Sequence, residues 1–401
     1  MTEKFQGYLR SDGRKGIRNT VVVAYLVECA HFVASKIVAG FDDDEDVQLI
    51  GFPGCFPNEY AARVMGQLCT HPNVGAVLFV SLGCESFDKV RAKGTVASTG
   101  RPVETLVIQR SGGTAKTVET GRAWVRSAFD EVAKVERAPM GVDELIIGTI
   151  CGGSDGTSGI SGNPAAGKAF DLLIAEGAAC IFEETGELIS CEDIMAERAK
   201  TPELGEELRA AVQKAERYYA TLGYGSFAAG NAAGGLSTIE EKSLGAYVKS
   251  GDSQISGLIK PGDVPPRGGL YLMDVVPDGE VRFGFPNISD NAEIVEMIAS
   301  GAHMTLFVTG RGSVVGSAIS PVIKICANPD TYRALEGDMD VNAGDIIEGK
   351  RSIAEVGQEI RDLVVNVAKG AQTKSEALGH REFILTYKSF DPIGPSCLPA
   401  V

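Results

Sequence analysis

The chain has 401 residues, of which 44% are hydrophobic and 23% charged, with a formal net charge of −15. That length points to two domains, and that charge excludes a nucleic-acid surface or a polybasic membrane patch. No run of about 18 apolar residues occurs, and the amino-terminal MTEKFQGYLRSDGRKG lacks a signal-peptide core, so no membrane span is expected and the cytoplasm is the expected location. Nine cysteines, an odd number without regular spacing, are no disulfide framework in that compartment.

The first stretch, Gly7 to Asn19 (GYLRSDGRKGIRN), is rich in Arg, Lys, Gly and Asp. Its Arg10, Arg14 and Arg18 could clamp a carboxylate or phosphate, or simply form a solvated turn. An apolar strand is predicted over Asn19 to Val27, closed by Glu28-Cys29, with a helix from His31 to Val38. Asp42 to Asp46 reads as an acidic surface connection. Val47 to Gly51 is strand-like and runs into Pro53-Gly54-Cys55. A helix over Glu59 to Leu68 precedes a strand from Gly75 to Val80, which ends in Ser81-Leu82-Gly83-Cys84-Glu85. A strand from Val103 to Gln109 and a helix from Val118 to Val135 follow. Pro139-Met140-Gly141 marks a boundary, giving a first α/β domain over residues 1–138 and a second, with a C-terminal extension, over 139–401.

The most informative stretch opens the second half. Leu145 to Ile150 is a short β-branched run, and seven of the sixteen residues after Cys151 are Gly or Pro. A helix then starts at Asn163-Pro164, with Asn as cap and Pro in the first turn. Strand, polar glycine loop and helix place that loop at the carboxyl end of a parallel sheet, where such folds bind ligands. Further on come a strand (Ala178 to Glu183), an amphipathic helix (Leu204 to Tyr219), the glycine loop GNAAGGLSTIEEKSLG (Gly230 to Gly245), and strands over Leu270 to Val276, Met304 to Thr309 and Val322 to Ala327. A last strand is expected from Phe383 to Tyr387. Alternation of this kind predicts an α/β fold: two parallel-sheet, Rossmann-like units with helices on both faces and a shared cleft.

Four cysteines, Cys29, Cys55, Cys84 and Cys151, each sit just past a predicted strand, so they could converge along one sheet edge. Cys69 and Cys180 fall inside apolar patterns and read as core. Convergent thiolates suit iron, an iron–sulfur cluster or zinc. His303 and His380 could act as acid or base, whereas His31 and His71 read as structural. A serine-hydrolase elbow and a GxGxxG fingerprint are both absent.

Taken in order, GYLRSDGRKGIRN, Gly54-Cys55, HPNVGAVLFVSLGCE, CGGSDGTSGISGNPAAG, GNAAGGLSTIEEKSLG, FVTGRGS, PVIKICAN, DMDVNAGDIIEGK and TKSE resemble the altronate/galactarate dehydratase family across nearly the whole chain. The resemblance implies a lyase that removes water from a sugar acid or related 2-hydroxy acid by metal-assisted β-elimination, leaving a 2-keto-3-deoxy acid. The expected cofactor is iron, as Fe2+ or an iron–sulfur cluster, or another divalent metal, with Cys29, Cys55, Cys84 and Cys151 as ligands. Ser154, Asp155, Glu85, Arg311 and Lys242 are the candidate catalytic residues. Arg14, Arg18, Asn19, Asn163, Thr309 and Ser313 are the candidate substrate groups.

Two departures open an alternative. Gly51 stands where the family pattern has a His, and Ile150 where altronate dehydratases carry a Glu before CGGSDG. The same family includes the large subunit of sulfolactate sulfo-lyase, which expels sulfite by the same α-proton chemistry. The expected partners are a small carboxylic acid, a separately encoded small subunit that supplies the family's amino-terminal domain, and further copies in a homo- or hetero-oligomer. A catalytically inactive binding subunit and a nucleotide-dependent α/β enzyme are the competing readings.

Overall fold

The computed structural model describes residues 4–41, 46–222, 226–280 and 289–388. The acidic connection expected over Asp42 to Asp46 therefore lies largely outside the described residues. Strands run in order as β1 (Lys4–Leu9), β2 (Lys15–Gly16), β3 (Thr20–Tyr25), β4 (Val47–Gly51), β5 (Val74–Ser81), β6 (Val103–Val107) and β7 (Arg137–Gly141). They continue as β8 (Ile146–Cys151), β9 (Ala179–Phe182), β10 (Ile255–Ile259), β11 (Gly269–Met273), β12 (Met304–Thr309), β13 (Val322–Cys326) and β14 (Val341–Asn342). Two all-parallel sheets result, one of four strands (β4-β3-β5-β6) and one of seven (β10-β11-β9-β8-β12-β13-β14). A small antiparallel sheet, β2-β1-β7, pairs the start of the chain with β7, the strand between the two parallel sheets in sequence. The α/β architecture with two parallel sheets is thus as expected.

Parallel strands need both faces covered, which is why β5 (VGAVLFVS) is buried at every position. Helices Glu28–Val38 and Gly113–Val132 bury Val33, Ala34, Ile37, Val125 and Ala128 on one face of the four-stranded sheet. On its other face, Ala61, Val64, Met65 and Leu68 of helix Glu59–Cys69 join a core shared with the larger unit. That core includes Ile294 and Met297 of helix Asp290–Ala299, and Ile150 and Phe307 from the seven-stranded sheet. The opposite face of the large sheet is covered by helices Asn163–Ala175 and Ile353–Ala368, through Ala166, Phe170, Val356 and Ile360.

Strand β8 is flanked by β9 on one side and β12 on the other. The chain leaves β8 toward β9 and leaves β12 toward β13, so the connections diverge at the β8/β12 junction. That divergence is the topological switch point at which open α/β sheets take ligands. No helix among the described residues is long and apolar enough to cross a membrane.

The expected last strand does not form. Residues 383–387 are extended but pair with no ladder. They run instead beside edge strand β4: Phe383 and Tyr387 pack against the core that holds Ile50 and Phe52, and the Tyr387 ring stands edge-on to Phe52 at 5.1 Å. The Tyr387 carbonyl accepts a hydrogen bond from Asn58 Nδ2. Side-chain packing, not backbone pairing, covers that edge.

Candidate active site

Strand β8 ends at Cys151, which is buried. Gly152 must be glycine: a Cβ there would lie 2.1 Å from an Asp290 carboxylate oxygen and 2.5 Å from the Phe307 ring. The bare backbone lets Asp290, the first residue of its helix, reach the end of β8. Asp155 then organises the loop. Its carboxylate accepts from the Thr157 backbone at 2.8 Å and from Asn328 Nδ2 at 3.1 Å, while its own N–H donates to Ser158 Oγ. A single π turn at Ser158–Gly162 feeds the helix Asn163–Ala175.

The neighbouring strand supplies the other half of the site. β9 ends in Glu183-Glu184, and Glu184 sits in the left-handed region at φ 77°. For a residue with a Cβ that costs about 1–2 kcal/mol, and it turns the carboxylate onto Cys151. The Cys151 N–H donates to Glu184 Oε2 at 3.2 Å; the Cys151 sulfur lies 3.3 Å from the same oxygen and 3.5 Å from Glu187 Oε2. Ligand atoms of Cys151, Glu184 and Glu187 all lie within 4.8 Å of one another, the one such group among the described residues.

Two lysines face this group. Lys249, with no exposed surface, forms an ion pair with Glu184 and points its Nζ at the Cys151 sulfur, 3.4 Å away. Lys242 pairs with Glu187 and donates to the Ser226 carbonyl at 2.6 Å. Burial pushes the Cys151 thiol up from its ordinary value, while the Lys249 ammonium and the Ser154 hydroxyl favour the thiolate. Burial and then the Glu187 charge raise the Asp290 carboxyl to about 6. Behind it lie Glu183, Glu293 and Glu296, all buried, with Glu293 lifted to about 8 chiefly by burial. Lys388 bonds Glu296 at 2.7 Å, and the Tyr60 hydroxyl bonds the same carboxylate.

Among the described residues, six carboxylates here face three ammonium groups. Buried charge of one sign must be neutralised, either by protonation, as the raised carboxyls indicate, or by a bound cation. One thiol and two carboxylates form a mixed soft and hard donor set, which suits iron, manganese or zinc better than magnesium or calcium. The group can therefore hold a metal ion.

Of the predicted residues, Cys151, Ser154 and Lys242 come together here. Thr309, Arg311 and Ser313 lie on the adjoining loop after β12. The Arg311 N–H donates to the Gly153 carbonyl at 2.9 Å, and Thr309 Oγ1 accepts from Gly312 N. Ser313 and Asp290 line a cavity of about 400 Å³ together with Asn291 and Glu382. Asn163 is buried and donates to the Gly245 carbonyl.

Other predicted residues stand elsewhere. No three of the four strand-end thiols come within 4.8 Å of one another. Cys29, in the first turn of helix Glu28–Val38, and Cys55 and Cys84, in loops, stand at the four-stranded sheet and are exposed; of the four, only Cys151 belongs to the seven-stranded one. Glu85 is held by Ser81, the Gly83 N–H and Lys89; burial raises its pKa, and those bonds more than reverse the effect. Arg14 pairs with Asp12, Arg18 with Glu376, and Asn19 bridges Arg10 and the Val132 carbonyl, all at the amino edge of the small sheet. His303 is a structural clamp: Nδ1 accepts from the Ile146 N–H and Nε2 bonds the Lys15 carbonyl. His380 bonds the buried Lys324 at 3.2 Å. At Gly51, where the family pattern has a His, the Tyr25 ring fills the side-chain space.

A cavity of about 940 Å³ forms a cleft between the units, lined by Tyr60, Arg63, Phe87, Lys260 and Lys388, not by Cys151. It meets the cluster only through Tyr60 and Lys388, which share Glu296.

A parallel-sheet enzyme with a buried thiol–carboxylate–lysine centre at its switch point matches the second domain of D-galactarate dehydratase/altronate hydrolase over residues 7–133. It matches the C-terminal part of D-galactarate/altronate dehydratase over residues 142–390. The chain belongs to this family of lyases. It is 33% identical to the (2R)-sulfolactate sulfo-lyase subunit beta of Chromohalobacter salexigens, over 95% of this chain and 97% of that one. To the altronate dehydratase of Bacillus subtilis it is 29% identical, over 95% of this chain and 77% of the relative. To the L-threo-forming galactarate dehydratase of Escherichia coli it is 30% identical, over 91% and 73%.

Proposed function

We propose that the chain is the catalytic subunit of a β-eliminating lyase that expels sulfite from (2R)-sulfolactate. The similarity to a sulfo-lyase subunit along nearly the full length of both chains carries this reading. It reverses the order expected from the motifs, which put dehydration first. Dehydration of a sugar acid is the second reading, favoured by the altronate and galactarate dehydratases at 28–30% identity.

The proposed chemistry is the same in both cases. A base takes the proton from the carbon that bears the hydroxyl and carboxylate. That electron pair becomes a carbon–carbon double bond, and the neighbouring C–S bond breaks with its pair leaving on sulfite. The enol then takes up a proton at the terminal carbon, gives up its hydroxyl proton and becomes pyruvate. Asp290 is the proposed base: its carboxyl titrates near 6 and opens on the 400 Å³ cavity, so it is ionised yet basic at neutral pH. Lys242 and Lys249 bring positive charge toward the carboxylate, whose charge grows as the proton leaves. Ser154 favours the Cys151 thiolate. Ser313 and Arg311, on the loop after β12, would contact the substrate.

Cys151, Glu184 and Glu187 are the proposed ligands of Fe2+ or a divalent metal of similar softness, which when bound supplies a Lewis acid for substrate oxygens. Lys249, paired with Glu184 and 3.4 Å from the Cys151 sulfur, holds both donor groups in place. A separately encoded small subunit is proposed to complete the enzyme, since the relative is named a subunit beta. The test is anaerobic assay of the iron-loaded chain, with and without that subunit, on (2R)-sulfolactate, altronate and galactarate. Release of sulfite with pyruvate is expected. Turnover of the sugar acids alone would establish the second reading, and no turnover of any would overturn both.

A further inference from the structure

At the amino edges of the two sheets, far along the strands from Cys151, lies a second cavity of about 610 Å³. Both units line it: Gln48 of β4 and Arg137 of β7 on one side, Lys369 and Arg381 on the other. Arg18 also reaches it, but is committed to Glu376 and to the Val367 and Ala371 carbonyls.

Two groups in this cavity have unused bonding capacity. Arg381 is half-buried, and among the described residues its guanidinium meets no carboxylate or carbonyl. Gln48 is 93% buried; its Nε2 donates to Asp46 Oδ1 at 2.9 Å, but its Oε1 has no donor. Because Nε2 is committed to the Asp46 carboxylate, the amide cannot rotate to exchange the two atoms. The second oxygen of Asp46 is satisfied by the Thr20 hydroxyl. What remains is a guanidinium that lacks an anion beside an acceptor that lacks a donor. Orphan buried acceptors are rare in folded proteins and indicate a missing partner. Among the described residues, Arg18, Arg137, Lys369 and Arg381 line the cavity together with the carboxylates of Asp46 and Glu376.

We infer that this cavity binds a small organic anion carrying a hydroxyl group, the anion on Arg381 and the hydroxyl donating to Gln48 Oε1. A hydroxycarboxylate and a phosphate ester of a polyol share that chemistry. Because residues of both sheet units line the cavity, the ligand bridges them and binding raises the melting temperature.

The experiment is calorimetric titration of the full chain with glycerate, glycerol 3-phosphate and acetate, repeated on Arg381→Ala, Gln48→Leu and Cys151→Ser. Glycerate or glycerol 3-phosphate should bind the wild-type chain and the Cys151→Ser variant equally. Arg381→Ala should weaken that binding at least about tenfold, the scale of a lost charge-assisted hydrogen bond. Gln48→Leu should abolish the preference over acetate, which lacks the hydroxyl. Whichever of the two binds best names the source, carboxylate or phosphate. Binding that survives Arg381→Ala, or that vanishes in Cys151→Ser, would overturn the inference, the latter by assigning the ligand to the reaction site. A melting temperature for Arg381→Ala within error of wild type confirms that the lost binding is not lost folding.

Discussion

Two sheets in this molecule present cysteines at the carboxyl ends of parallel strands, with different consequences. In the four-stranded sheet, Cys29, Cys55 and Cys84 are exposed, and the carboxylate next to Cys84, Glu85, is engaged by Ser81, Gly83 and Lys89. In the seven-stranded sheet, Cys151 is buried against Glu184, Glu187, Lys242 and Lys249. Strand-end position alone does not make a site. What distinguishes the second edge is that the neighbouring strand delivers carboxylates to the same point and the surrounding core excludes water, so each charge there must be matched.

The sharpest way to break this comparison is to exchange serine for cysteine at each edge. Cys151→Ser should lower turnover at least about 100-fold, as loss of a metal ligand does. Cys29→Ser, Cys55→Ser and Cys84→Ser should each leave turnover within a factor of a few. Equal losses at both edges would show that the exposed thiols take part.

Acidity sharpens it next. If Asp290 removes the proton, turnover should fall about tenfold per pH unit below about 6, because the protonated carboxyl is no base. A plateau that persists to pH 4.5 would remove Asp290 from that role.

Stability provides a third comparison. Glu184→Gln leaves the Lys249 ammonium buried without its carboxylate, which should cost about 3–5 kcal/mol in denaturant unfolding. Arg14→Ala, which breaks a half-exposed pair at the amino edge, should cost under about 1 kcal/mol. Similar values for the two would mean that the centre is more open to water than its burial indicates.

His303 yields a smaller, pH-dependent effect. Burial holds its pKa at about 4, below the ordinary value of 6.5, and Nδ1 already accepts from the Ile146 N–H. The unfolded chain therefore takes up a proton that the folded chain refuses between those values. Stability should be fully present above pH 6.5 and fall by about 3 kcal/mol as the pH drops to 4. His303→Gln, which keeps an acceptor for Ile146, should flatten that slope.

Much of the fold was legible because buried parallel strands such as β5 and β8 are apolar runs closed by glycine, cysteine and polar residues. The short strands β2 and β14, of two residues each, carry no such pattern. Residues 383–387 carry the pattern without the ladder, since an apolar strap on a sheet edge needs the same side chains as a strand. Half of the centre was legible too: Cys151, Ser154 and Lys242 follow from the glycine loops. Glu184, Glu187 and Lys249 did not, because nothing local says that β9 lies beside β8. The left-handed Glu184 has no sequence signature, although Glu183-Glu184 after an apolar strand was the available sign.

The central claim is that the metal centre belongs to the seven-stranded sheet alone. Anaerobic titration with Fe2+, followed by metal analysis, tests it on three proteins: wild type, Cys151→Ser, and the triple variant with serine at positions 29, 55 and 84. One iron per chain in wild type and triple variant, and none in Cys151→Ser, is the predicted result. Iron retained by Cys151→Ser and lost from the triple variant would contradict the account.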